Sequence, residues 1–251
     1  MKKILLMIFT LITLLQAETI TIVGDKWCPY NCKESDINQG FMVDIARTIF
    51  EKNGDTLVYH VSSSWESAIK QTRENKSNAI IAAIPDEAKD FIFPQNSQGI
   101  ATDSFFVRKG ETWKYDGIKS LKEVTIGVMK GYSYTPEIDE YIQQNKNNSK
   151  LVQVISGNRA IYQNAKKILY KTIDVIIEDP YVLNYYFSLK KSTIPFNIVG
   201  NTGISNIYIA FSPNNINSKK YAQILSKGMI NLRKSGELEK ILNKYGLKDW
   251  K

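Results

Sequence analysis

A chain of 251 residues with 43% apolar and 23% charged residues has the composition of a globular protein of one large domain or two ordinary ones, which excludes a disordered chain and a membrane bundle. The formal net charge of +8 is spread over single and paired lysines such as Lys166-Lys167, Lys190-Lys191 and Lys219-Lys220. With no basic run among them, it reads as a solvated surface and excludes a nucleic-acid arm.

Lys2 and Lys3 precede the apolar run Ile4 to Leu15, and Ala17 offers a small residue for cleavage. The pattern predicts a secretory signal peptide over residues 1–17, too short to act as a stable anchor. No Cys stands at the cleavage point for lipid attachment, and no later segment approaches the ~20 apolar residues of a spanning helix. The mature chain is therefore expected to be soluble and exported, with the periplasm as its location. That destination is oxidising, so the two cysteines, Cys28 and Cys32 in WCPYNC, are expected to form a local disulfide. Their spacing is one residue longer than the redox Cys-x-x-Cys, and two thiols alone make no zinc site. His60 is the only histidine. It sits in an apparent strand, which leaves no histidine elsewhere for a hydrolase mechanism.

The mature chain opens with an alternating strand, Thr19 to Val23, followed by a loop carrying Trp27, the cysteine pair and Tyr30. Phe41, Ile45, Ala46, Ile49 and Phe50 recur at helical spacing, and Asn53-Gly54 stops that helix. A strand over Thr56 to Val61 follows. Ser63-x-x-Glu66 reads as a capping box for a second helix, and Ala79 to Ala83 as a third strand. This β-α-β-α-β order predicts a parallel sheet with right-handed crossovers. An extended segment, Ile100 to Lys109, leads into a second unit of the same outline. Its strands are Val124 to Val128, Leu151 to Ile155 and Val175 to Ile177. Its helices span Pro136 to Gln144 and a segment through Ile161 and Ile168 for which Asn158 is the cap. Ile204 to Phe211 reads as a strand returning to the first lobe. Two amphipathic helices follow, one from Ser218 and one carrying Leu238, Ile241 and Leu242, punctuated by Gly236 and Gly246.

In TIDVIIEDPYVL, Thr172 to Leu183, a buried strand runs directly into Glu178-Asp179-Pro180 and a helix. Asp179 is a good N-cap and Pro180 suits the first helical position, so Asp179 serves either as cap alone or also as a ligand group. Glu178 has no such structural role. Strand, acidic turn, helix is where open α/β sheets place their ligands.

Several segments together resemble the bacterial extracellular solute-binding proteins of family 3, the amino-acid-binding type of periplasmic binding protein. They are Trp27-Cys28-Pro29-Tyr30, the helix start Gly40 to Ala46, and Trp65 before the second helix. Phe91-Ile92-Phe93-Pro94, Ile126-Gly127-Val128 with Gly131-Tyr132-Ser133, Ile173 to Asp179, and the C-terminal Leu232 to Leu238 with Lys244-Tyr245-Gly246 complete the set. The resemblance covers nearly the whole mature chain. It implies an α/β, two-lobed periplasmic-binding-protein fold of type II, each lobe a mostly parallel sheet flanked by helices. Lobe 1 comprises residues 18–108 and 206–251, lobe 2 residues 109–205, with hinge crossings at Phe105 to Arg108 and Ser205 to Ile209. It further implies a monomeric, non-enzymatic receptor without cofactor or metal. Its partner is the permease of an inner-membrane ABC importer or a separate sensor, and small-molecule lyases of the dehydratase type are the enzymatic alternative on this fold.

In amino-acid-binding members, an Arg after the third strand grips the ligand carboxylate and the Asp ending the lobe-two strand takes the ammonium. Asp179 matches that Asp, but Pro85-Asp86-Glu87-Ala88-Lys89 occupies the region of the Arg. Glu87 falls at or beside its position; Lys89, which lacks the bidentate fork, and Arg108 are the candidate replacements. The acids either face solvent or share a pocket. A pocket holding Glu178, Asp179 and Asp86 or Glu87, walled by Trp27, Tyr30 and Trp65 and closed by the Tyr132-Ser133 turn, suits an amine or other cation.

Overall fold

The computed structural model describes residues 17–157 and 159–251, so the expected signal segment (apart from Ala17) and the Asn158 cap lie outside the described residues. Two five-stranded sheets carry the chain. In the first, β1 (Thr19–Gly24) is central to a parallel trio with β2 (Thr56–Val61) and β3 (Ala79–Ala83), joined through α1 (Phe41–Lys52) and α2 (Trp65–Arg73). The short β4 (Gly99–Ala101) lies at the edge of this sheet, while β5 (Ser104–Arg108) belongs to the second. There β6 (Ile126–Met129), β7 (Val152–Ile155) and β8 (Val175–Glu178) form a parallel trio, connected by α3 (Pro136–Asn145) and α4 (Ala160–Leu169). After α5 (Pro180–Ser188), β9 (Phe196–Asn201) closes the second sheet in the order β7-β6-β8-β5-β9. The chain then returns as β10 (Ser205–Phe211) to complete the first, β2-β1-β3-β10-β4, followed by α6 (Ser218–Lys234) and α7 (Glu237–Asn243).

Both sheets are mixed, with three parallel strands and a crossing strand that runs against its two neighbours: β10 against β3 and β4, and β5 against β8 and β9. The direction follows from the topology. The parallel strands of each lobe end at the cleft, so a strand entering from the cleft must run the other way. The segment expected as a lobe-one strand and hinge, Phe105 to Arg108, is thus fully paired inside lobe two, and Ser205 to Ile209 is paired inside lobe one. The unpaired connectors are residues 102–103 and 202–204. They touch through the Thr202 N–H, which donates to the Asp103 carbonyl at 3.0 Å.

Each lobe buries its own apolar core. Ile20, Ile22, Phe41, Ile45, Phe50, Phe211, Leu225 and Met229 pack sheet one against α1 and α6, and Phe105, Val128, Ile138, Val175 and Ile177 lie within lobe two. The cap of α2 is Ser64, whose hydroxyl accepts from the Ser67 N–H at 3.2 Å, one residue later than expected. Glu66 is thereby released to pair across the cleft with Lys130 at 3.3 Å. Gly40 opens α1 at φ 114°, and a Cβ there would lie 2.4 Å from the Tyr30 carbonyl, so the disulfide loop packs directly against the helix start. On α6, a Cβ at Gly228 would lie 2.3 Å from Ile49 Cγ2 on α1. Gly228→Ala is accordingly expected to destabilise the protein by about 1–3 kcal/mol through overpacking, measured by urea unfolding, although alanine is intrinsically the better helix former.

Candidate functional site

The C-terminal ends of four parallel strands meet at the interface between the lobes, as the crevice rule for α/β sheets requires. β1 delivers Asp25 and Trp27, β3 delivers Glu87, β6 delivers the Tyr132–Tyr134 turn, and β8 delivers Glu178 and Asp179. The cavity they bound has a volume of about 60 Å³ and a lining that includes Asp25, Trp27, Trp65, Glu87, Asp103, Tyr132, Ser133 and Tyr134. Where β10 slips register between Tyr208 and Ile209, Ala82 takes φ 69° and turns the end of β3 along the cavity wall.

The lobes are pinned together by carboxylates that accept hydrogen bonds from the opposite side. The Trp27 indole N–H donates to Glu178 Oε1 at 3.0 Å, the Tyr132 hydroxyl to Asp25 Oδ2 at 3.0 Å, and the Ser133 N–H to Glu87 Oε1 at 3.2 Å. The other Glu87 oxygen accepts from the Ile84 N–H at 3.3 Å. Asp179 caps α5 by accepting from the Tyr181 N–H at 2.7 Å, and its second oxygen accepts from the Thr102 N–H of the crossing at 2.9 Å. The Asp103 carboxylate has no hydrogen-bond partner among the described residues.

No lysine or arginine among the described residues lines this cavity. Burial therefore raises every carboxyl around it, and neighbouring acids add to the rise at Glu87, Asp103 and Glu178. Asp25 is pushed up to about 6, Glu87 and Asp103 to about 7, Glu178 to about 8 and Asp179 to about 6.

Of the residues singled out from sequence, Trp27, Trp65, Glu87, Tyr132 and Ser133 line the cavity. Asp86 does not. Its side chain is 80% exposed and pairs with Lys89 on the surface, because the 3-10 turn Pro85–Glu87 aims neighbouring side chains in opposite directions. Lys89, 78% exposed, likewise lies outside the cavity lining. Tyr30 is a core residue rather than a wall: it is fully buried, stacks under Trp27 at 4.1 Å and donates to the Ile100 carbonyl at 2.8 Å. Glu178 sits behind Trp27, and the oxygens of Asp179 are spent on backbone N–H groups. Sequence reasoning missed Asp25, Asp103 and Tyr134. Asp25 carried a usable signal, standing directly after a strand at the ligand edge, whereas Asp103 becomes a site residue only when the crossing is placed. Cys28 and Cys32 form the expected disulfide, with Cα atoms 4.7 Å apart. The loop is held by the Tyr59 hydroxyl donating to the Cys32 carbonyl at 2.6 Å.

Comparison with known proteins gives this geometry a family. The model of the bacterial extracellular solute-binding proteins, family 3, matches residues 20–248. The chain belongs to that family. Its fold is the type II periplasmic-binding-protein fold, shared with solved structures of low sequence identity. A substrate-binding protein of an ABC uptake transporter from Streptococcus pneumoniae, with bound histidine, superposes with a TM-score of 0.71 at 17% identity, covering 91% of this chain and 92% of that one. A histidine kinase sensor domain with similarity to periplasmic binding proteins gives 0.70 at 17%, covering 92% and 98%. An ancestral arginine-binding protein bound to arginine gives 0.68 at 19%, covering 91% and 98%. Among curated proteins, none matches this sequence.

The buried carboxyls set a pH dependence. Each holds its proton more tightly between the packed lobes than in water, so packing of the lobes against each other takes up protons and is favoured at low pH. That stabilisation is complete below the ordinary carboxylate range and is lost as pH rises through about 6 to 8, the folded-state values of Asp25 and Glu178. X-ray scattering of ligand-free protein is expected to give a larger radius of gyration at pH 8 than at pH 5. Glu178→Gln, which keeps an acceptor for Trp27 without the charge, is expected to shrink that difference.

Proposed function

We propose that the protein is a periplasmic receptor that captures a small amine or other organic cation by closing its lobes, and delivers it to an inner-membrane ABC importer. The observation that carries this reading is the cavity itself: Asp25, Glu87 and Asp103 line one space that no lysine or arginine among the described residues lines. A carboxylate removed from water without a partner is costly, and a cationic solute supplies the missing charge. Trp27 and Trp65 add aromatic faces suited to holding it. The family's habit of gripping an α-carboxylate with an Arg finds no equivalent residue here. Arg108 is committed to the far end of β5, bonded to the Ile168 and Ile173 carbonyls at 3.1 and 2.9 Å.

Closure is a rotation about residues 102–103 and 202–204, each lobe moving as a body. Transport rather than sensing is favoured by the likeness to transporter components, with the sensor-domain likeness as the competing reading. A lyase reading draws on one observation: Glu87 and Asp103 line the same cavity and burial pushes both up to about 7, in the range of a general acid or base. Mass spectrometry of the retained solute separates the two, since a receptor returns it unchanged.

A thermal-shift screen is expected to show stabilisation by primary or quaternary amines and little by the matching amino acids. Strong stabilisation by amino acids alone overturns the cation reading. Asp103→Asn is expected to weaken binding by about 1.5–3 kcal/mol, the range for a hydrogen bond to a charged group. Asp179→Ala should chiefly cost ~1 kcal/mol of stability as a lost cap. Because the cation binds the deprotonated acids, affinity is expected to rise between pH 5 and 8 and binding to release protons, read by calorimetry in buffers of different ionisation enthalpy.

A further inference from the structure

On the side of lobe two formed by α4 and α5, the exposed residues form a continuous basic and apolar surface. Arg159, Tyr162, Lys166, Leu169 and Tyr170 recur at the spacing that places them on one face of α4. The Tyr162 ring is covered by the Arg159 guanidinium at 5.4 Å and the Lys190 ammonium at 5.5 Å, and Lys190 lies 4.9 Å from the Tyr186 ring, which joins this face to the end of α5. Lys166 stacks on Tyr170 at 5.5 Å. Between the rings protrude large apolar side chains, with Leu169 50%, Tyr170 72% and Leu189 68% exposed. Lys171 and Lys191 extend the basic rim.

The segment that forms this surface contributes no free acid. Within residues 159–192 the carboxylates are Asp174, Glu178 and Asp179. Asp174 is held by Arg108 at 3.4 Å and by the Thr125 N–H at 2.9 Å, and the other two are buried at the lobe interface. A cluster of cations whose own segment supplies no free counter-charge is complementary to a polyanion. The aliphatic and tyrosine side chains standing out between those cations narrow the choice, since they need an apolar layer directly behind the anionic one. A bilayer of anionic phospholipids has that arrangement, whereas an acidic protein surface or a soluble polyanion does not. We propose that this face of α4 and α5 docks the protein on an anionic membrane surface, independently of which solute occupies the cleft.

The test is co-sedimentation of the full protein with vesicles of phosphatidylcholine alone or mixed with phosphatidylglycerol. Binding is expected only to the anionic vesicles and is expected to weaken as salt is raised. Lys166→Glu with Lys190→Glu should weaken it by at least about fivefold per position. Lys219→Glu with Lys227→Glu on α6, the same charge change on lobe one, should leave most of it. Leu169→Ser with Leu189→Ser, which keeps every charge, is expected to lower binding as well. An unaltered thermal midpoint shows that each variant is folded. The proposal is overturned if anionic vesicles do not bind, if both lysine pairs weaken binding equally, if the leucine variant binds as well as the parent, or if soluble polyglutamate captures the protein as strongly as the vesicles.

Discussion

Negative charge taken out of water between two lobes is the constraint on which the rest of this structure depends. Asp25, Glu87, Asp103, Glu178 and Asp179 all sit where the lobes meet, and burial raises each of them. An isolated buried carboxylate would be untenable, and the chain answers in two ways. Glu178, Asp179 and Glu87 each accept two donors, several of them backbone N–H groups that cannot move away. The remainder is left to protons or to a solute. The interface that closes the protein is therefore also the one that makes closure conditional.

The two kinds of acid do different work. Glu178 and Asp179 belong to lobe two, and their hydrogen bonds reach Trp27 and the crossing at Thr102, so they hold the lobes in register. Asp25 and Glu87 belong to lobe one and line the cavity, yet each also accepts from the Tyr132–Ser133 turn. A cation entering between them competes with protons rather than with a salt-bridged partner, because no lysine or arginine among the described residues lines that space. Asp103, on the connector where the crossings touch, has its charge placed at the pivot itself. In the proposed receptor, a cation held in the cavity would therefore sit directly beside the connectors between the lobes.

Much of the fold is legible from apolar periodicity and punctuation. Strands β1, β2, β3 and β8 and helices α1, α3 and α5 follow from runs bounded by Gly, Pro or a capping residue, and the Asp179 cap with Pro180 after it behaves as local stereochemistry requires. The edge strand β9 was not legible. Phe196 to Asn201 alternates poorly, is largely exposed, and is extended because β5 offers a free edge for it. The same holds for the assignment of β5 itself. Ser104 to Arg108 reads as a strand in any frame, but which sheet it joins depends on pairing with β8 and β9, partners far along the chain.

The sequence by itself determined the two-lobed family fold and the local disulfide, because each depends on residue type and local order. It also placed Trp27, Trp65, Glu87, Tyr132 and Ser133 near the ligand edge, since the ends of parallel strands converge there. Only the tertiary structure decided which acids face the cavity. Asp86 and Glu87 are neighbours in sequence, and one turn sends the first to solvent and the second between the lobes. Asp179 has the right type at the right strand end, yet its oxygens are consumed by the Thr102 and Tyr181 N–H groups. The physical reason is that strand ends are set by local pattern, whereas the direction of a side chain from a turn, and the partner it finds, are set by the opposing lobe.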